Sequence, residues 1–214
     1  SGELKNAPDQ KIYLEELYFS EKNAEVLDTG TVTNGKFSLS AMAAQQGIYR
    51  LRTQSGKNTY LFINDGDKIN FTGGPTAANA SFSGPANASL KKLMYNLDSM
   101  GLIISGKSKQ LAGFTQAGLK ETDSSFQAVL ADFNRLNEEF SKYVFKYSDT
   151  AISPMVALYA ATMAPVELTK LQLPVSNLAK RFPQNSNIAD ALLFIKNKAT
   201  QQTNNTTPQS TRLT

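Results

Sequence analysis

The chain has 214 residues, 41% of them hydrophobic and 19% charged, an ordinary globular composition with room for one large domain or two small ones. It contains neither cysteine nor histidine, which excludes disulfides, thiolate nucleophiles, iron–sulfur and zinc–thiolate sites, histidine bases and Ser-His-Asp chemistry from these residues. The net charge of +4 and pI near 9.1 come from scattered basic residues, among them Lys91-Lys92, Lys107, Lys109, Lys180-Arg181, Lys196 and Lys198; they lack the aromatic-interleaved stripe of a nucleic-acid footprint, so a solvated surface and no nucleic-acid partner are expected.

The first half reads as short strands. Residues 2–5 and 11–19 give the first two, with Ile12 and Leu14 on one face, after a turn at Pro8-Asp9. Val26 to Thr33 leads into Asn34-Gly35, a pair suited to a type I′ turn because both positions need positive φ. Lys36 to Ser40 returns with Phe37 and Leu39 inward, and Gly47 to Arg52 alternates Tyr49 and Leu51 against Arg50 and Arg52. Tyr60 to Ile63 is apolar on both faces, as for a central strand or one covered by helices. Lys68 to Thr72 and Ala80 to Ser83 complete about eight strands. With Ser55-Gly56 and Asp65-Gly66 read as further hairpin turns, Thr31 to Thr72 predicts a β-meander, and the whole predicts an antiparallel β-sandwich or open barrel over residues 1–84.

At Gly84-Pro85 the period changes from two to about 3.6, and an all-helical region follows over 85–199, giving an α+β protein. Leu90, Leu93, Met94 and Leu97 share one helical face, with Asn87 or Ser89 available as cap. Gly101 is expected to end or kink that helix, and Ser105 to Gly118, with three glycines, reads as a loop or broken helix. From Asp123 an apolar face from Phe126 to Tyr147 predicts the longest helix. Ser153 then caps a helix at Pro154. Short helices over Val166–Leu173 and Val175–Phe182 precede a last one capped by Ser186, with Ile188, Leu192 and Ile195 inward. Residues 200–214 lack an apolar face and read as a polar linker to a further domain. No run approaches the roughly 18 apolar residues of a membrane helix. The start at Ser1-Gly2 fits a removed targeting segment or an expression scar.

The segments Asp28 to Leu39, Gly47 to Leu51, Tyr60 to Ile69, Phe82 to Asn87 and Ser153 to Tyr159 (SPMVALY) together carry a resemblance. Residues 2–200 resemble the N-terminal accessory domain, of the DUF4369-like type, of Bacteroidetes-type envelope thiol–disulfide oxidoreductases of the thioredoxin-like/AhpC-TSA group. The resemblance implies a β-domain, a helical segment, a linker and a tethered C-terminal thioredoxin-like domain with a W-C-x-x-C site that this chain does not contain. It implies a role in redox homeostasis in the periplasm or cell envelope, a lipid-anchored full-length protein included. The expected function is non-catalytic: positioning, dimerising or presenting client proteins to the thioredoxin-like domain. No cofactor is implied and no catalytic residue carries over.

Other signals read as structure. Asn64-Asp65-Gly66-Asp67 lacks the register and distal glutamate of a calcium loop, so it reads as a turn and no metal site is expected. Glu15-Glu16 and Glu138-Glu139 diverge on strand and helix, so both pairs read as surface charge. Among the aromatic residues, Tyr13, Tyr18 and Tyr49 are the candidates for exposure. Sequons occur at Asn70, Asn79, Asn87, Asn204 and Asn205, short enough to arise by chance. The alternatives are a free-standing envelope glycan- or peptide-binding module, with its ligand in a concave aromatic cluster between strands and helices, and a carboxylate hydrolase with two buried acids facing each other.

Overall fold

The computed structural model describes residues 1–56, 58–74 and 79–205, with side chains for all of these except 202–205. Its strands are β1 (Gly2–Leu4), β2 (Gln10–Leu17), β3 (Glu25–Val32), β4 (Lys36–Phe37), β5 (Ile48–Thr53), β6 (Thr59–Ile63), β7 (Phe71–Gly73) and β8 (Ser81–Phe82). The helices are α1 (Pro85–Gln116), α2 (Ser124–Thr150), α3 (Pro154–Thr162), α4 (Gln172–Arg181) and α5 (Ser186–Asn205), with a 3₁₀ turn at Leu168–Leu171 leading into α4.

The strands form an open sandwich of two four-stranded sheets, ordered β4-β1-β7-β8 and β3-β2-β5-β6. This is not a meander. Two of the expected turns hold: Asn34 and Gly35 have φ of 51° and 77°, and Gly56 has φ of 68°. Only the second closes a hairpin within one sheet, β5–β6; the Asn34-Gly35 turn passes the chain from β3 in one sheet to β4 in the other. β4 then pairs with β1, which also lies parallel to β7. Gly2 belongs to this fold, because a Cβ there would lie 2.5 Å from the Phe37 ring.

Asp65-Gly66 does not make a hairpin, since β6 and β7 lie in different sheets. Its carboxylate turns to α1 instead, where Asp65 Oδ2 accepts from Ala86 N at 2.5 Å. The N-cap residue, Gly84, has no side chain, so Asp65 supplies from a distant loop the acceptor expected from Asn87 or Ser89. Ser153 caps α3 as expected, accepting from Val156 N. At α5 the acceptor is Asn185 Oδ1, bonded by Ile188 N, rather than Ser186.

Helix α1 continues through Gly101 and Gly106 and ends at Gln116, which makes it longer than α2. The glycines do not break it because its other face is anchored. Leu90, Leu93, Leu97, Met100, Ile104, Lys107, Leu111 and Phe114 recur at alternating three- and four-residue steps and are all buried or half-buried. They meet α2 in antiparallel register: Ser89 bonds Tyr147, Asn96 bonds Tyr143, Lys107 pairs with Asp132 at 2.8 Å, and Phe114 packs on Phe126. A Cβ at Gly101, Gly106 or Gly113 would meet nothing within 4 Å. Alanine at all three positions is therefore expected to raise stability by about 2 kcal/mol in urea unfolding, since each glycine in a helix interior costs roughly 0.5–1 kcal/mol.

Two cores result. Between the sheets lie Leu4, Ile12, Leu14, Val32, Phe37, Tyr49, Leu51, Tyr60, Phe62 and Phe71. The helical core centres on Leu93, Val144, Met155, Val156, Val175, Ile188 and Ile195, and it takes in Ile48 and Ile63 from the strands and Phe19 from the segment after β2. The helices thus cover one end of the outer face of β2-β5-β6. The β4–β5 loop adds a polar clasp: Gln46 O accepts from Asn185 and Asn187, Gln46 Oε1 accepts from Ser153, and Gln45 exchanges two bonds with Ser186. α5 itself runs past Lys198 to Asn205, so the stretch read as linker begins as helix; residues 206–214 lie outside the described residues.

Candidate binding groove between sheet and helices

α3 is apolar nearly all round, and Met155, Val156, Ala157, Leu158, Ala160 and Ala161 are buried, as expected of a helix enclosed by other elements. Its exposed side, with Tyr159 and Thr162, forms the floor of an open groove together with Leu17, Ile48 and Leu61 of the sheet. One wall is α5, which presents Asn187, Asp190, Phe194, Asn197 and Gln201 at helical spacing, with Leu193 beside them. The opposite lip is Tyr18 to Lys22, where the chain leaves β2. The groove encloses about 640 Å³.

The lip is held in place by contacts across the groove's end. Phe19 and Phe194 meet edge to face at 5.8 Å, and Lys198 Nζ lies 2.5 Å from Glu21 Oε1. Tyr18 Oη lies 2.9 Å from Glu16 Oε2 and 3.1 Å from Glu25 Oε2, so it bridges two carboxylates that stand directly opposite each other on β2 and β3. Lys22 pairs with Glu25 at 2.8 Å and sits over the Tyr18 ring, 3.8 Å from its centroid, which offsets that like-charge pairing. Burial pushes the Tyr18 phenol up, opposed by the Lys22 bond and reinforced by Glu16. Burial, then the charge of Asp98, pushes Tyr159 up as well. Both groove phenols are therefore neutral hydroxyls at neutral pH. The arrangement suits an apolar segment on the floor with polar groups of Asn187, Asp190 and Asn197 at the rim.

Of the tyrosines expected at the surface, Tyr18 lines the groove and Tyr13 is half-buried beneath the Arg52 guanidinium, 4.4 Å from the ring centroid. Tyr49 is buried at 3% exposure, because it points into the sandwich against Phe62. Burial and the nearby Glu16 charge push its phenol up to about 12.

Glu15 is not surface charge. It is 4% exposed, and Arg50 and Arg52 close over it from β5, Arg50 being its register partner. Arg50 Nε and Nη2 each lie 2.6 Å from Oε2, while Arg52 Nε and Nη2 lie 2.9 and 2.7 Å from Oε1. Burial raises the carboxyl, but the hydrogen bonds from Arg52 and Arg50 and their charges outweigh it and hold the group below its ordinary value. Glu138 and Glu139 are exposed and pair with Lys142 and Arg135. Glu15 is the one buried carboxylate among the described residues, and no second acid faces it.

In the Asn64–Asp67 loop, Asn64 accepts from Gly47 N and donates to Gln45 O, so the loop fastens the β4–β5 segment as well as capping α1. No cluster of three or more acidic side chains that would hold a metal occurs among the described residues. Asn87 is buried, which removes it as a glycan acceptor in the folded protein. The groove wall escaped sequence reading, although Leu193 and Phe194 stand off the Ile188, Leu192, Ile195 stripe and give α5 a second apolar face.

Residues 1–90 match a family model described as "Domain of unknown function (DUF4369)". The match takes in all eight strands and the first turn of α1, less than half the chain. Comparison with curated proteins and with solved structures gives no match.

Proposed function

We infer that this chain is a non-catalytic N-terminal module of a periplasmic or envelope thiol–disulfide interchange protein, holding client polypeptide for a tethered C-terminal thioredoxin-like domain. The observation that carries this reading is the groove between β2 and α5, an open apolar trough in a chain without cysteine or histidine to act on what it holds. The DUF4369 match and the SPMVALY helix start support its family side.

The downstream coding sequence tests it. A C-x-x-C motif within a thioredoxin-sized stretch past Thr214 is expected, and a reading frame that ends without one overturns it. The second reading, a free-standing glycan- or peptide-binding module, is favoured by the aromatic residues Tyr18, Phe19, Tyr159 and Phe194 grouped with Asn187 and Asn197. Saturable calorimetric binding of a neutral oligosaccharide, lost in Phe194→Ser, would establish that reading instead. Dimerisation is tested by light scattering, where a strictly monomeric protein over a wide concentration range leaves presentation as the role.

A further inference from the structure

The sheet β3-β2-β5-β6 has two edges, and they are treated differently. Along β3, residues 38–40 lie against the edge: Ser38 O and the Leu39 side chain approach Gly30, and Ser40 N donates to Asp28 Oδ2 at 2.7 Å. Along β6 the cover given by the described residues stops after one residue. Ile63 N donates to Asn87 Oδ1 at 2.8 Å, and Asn87 Nδ2 donates to Ile63 O at 2.9 Å, so one side-chain amide imitates a neighbouring strand.

These bonds also fix the register of what lies beyond. Since both polar groups of Ile63 face away from β5, those of Leu61 and Thr59, two and four residues back, face the same open side. Neither residue's outward N–H or C=O has a hydrogen-bond partner among the described residues. The strand carries no charge or proline to discourage pairing, its sequence being Thr59-Tyr60-Leu61-Phe62-Ile63.

Beside this open edge lies a second cleft of about 370 Å³, between β6, β8 and α1, walled by Phe82, Leu90, Met94 and Tyr95. Tyr95 is 74% exposed. Asp98, one turn beyond Met94, is exposed at the end of the cleft and has no ion-pair partner among the described residues.

We propose that the β6 edge takes up an extended polypeptide segment as an added strand, its backbone bonded to Thr59 and Leu61 and its alternate apolar side chains in the cleft against Met94 and Phe82. The chemistry of the site names the occupant. Backbone groups in two-residue register recognise an unfolded strand rather than a folded surface, and with Lys91 of the same cleft turned to Ala80 O at 2.8 Å, the unpaired Asp98 selects a segment with a lysine or arginine beside its apolar residues. The inference stands on the backbone of the strand edge, and this site shares only the Leu61 side chain with the β2–α5 groove.

The probe is a short capped peptide of alternating valine and threonine with a lysine at each end, titrated into the protein and followed by amide resonances and hydrogen exchange. In the free protein the Thr59 and Leu61 amides are expected to exchange fast while Tyr60 and Phe62, bonded within the ladder, are protected. Peptide binding should protect Thr59 and Leu61 selectively. Thr59→Pro, at the first residue of β6 and outside the β2–α5 groove, removes one outward donor at a position that makes no β5–β6 bond, and should weaken binding about tenfold. Should that variant unfold, the same test runs on the peptide: methylating alternate amides in one register abolishes binding, and in the other leaves it. Asp98→Asn should weaken binding of the lysine peptide, most at low salt. Absence of saturable binding, or protection confined to residues away from β6, overturns the proposal.

Discussion

Asn87→Ala is expected to destabilise the protein by about 3 kcal/mol in urea unfolding. The side chain is 5% exposed and makes three hydrogen bonds, to Ile63 N, Ile63 O and Ser83 O. Removing it strands the N–H and C=O of Ile63, a residue with no solvent exposure, at roughly 1–3 kcal/mol for each unsatisfied group. The consequence is more than local, because these bonds tie the last residue of the sandwich's open edge to the start of α1. Asn87→Asp keeps the acceptor for Ile63 N but sets a buried carboxylate oxygen against the carbonyls of Ile63 and Ser83, so a loss at least as large is expected. A loss below about 1 kcal/mol for the alanine variant would mean that water replaces the amide and that this join is not structural.

Glu15→Gln is expected to cost about 2 kcal/mol and to flatten the acid limb of stability. Breaking a fully buried ion pair costs about 3–5 kcal/mol, but the two guanidiniums remain 31% and 30% exposed, so solvent reduces the figure. The carboxyl is held below its ordinary value in the folded protein. Its contribution is therefore complete above the unfolded glutamate pKa of about 4.3 and is lost as pH falls through the lower folded value. Melting temperature of the parent protein should fall as pH drops below the unfolded value of about 4.3, and the glutamine variant should fall less over the same range. Equal acid limbs in the two proteins would remove Glu15 as a contributor.

The positions of strands and helices were legible in the sequence because alternation and helical period are local properties. Which strands pair was not. Asn34-Gly35 specifies a turn, yet nothing in Val26–Ser40 states that the chain changes sheets there, a choice made by Phe37 packing with Phe71 and Leu4 in the sandwich. The glycines predict a broken α1 because their propensity is local, whereas the heptad contacts with α2 that hold the helix are not. Glu15 illustrates the limit for charges. Neighbouring glutamates do point to opposite faces, but only strand pairing reveals that β5 brings two arginines over one of them. The groove was legible as a kind of place, the junction of strands and helices, and not as particular residues, since Phe19, Tyr159 and Phe194 come from three separate elements.

The central claim, that the β2–α5 groove holds client polypeptide, is tested most directly by NMR titration with a permanently unfolded, cysteine-blocked secreted protein as the probe. The predicted result is saturable shifts at Tyr18, Phe19, Tyr159 and Phe194, lost in Leu193→Glu. That substitution is at a residue 58% exposed and should change stability by less than about 0.5 kcal/mol. A titration that leaves these four residues unmoved, or shifts at these four that survive Leu193→Glu unchanged, would contradict it.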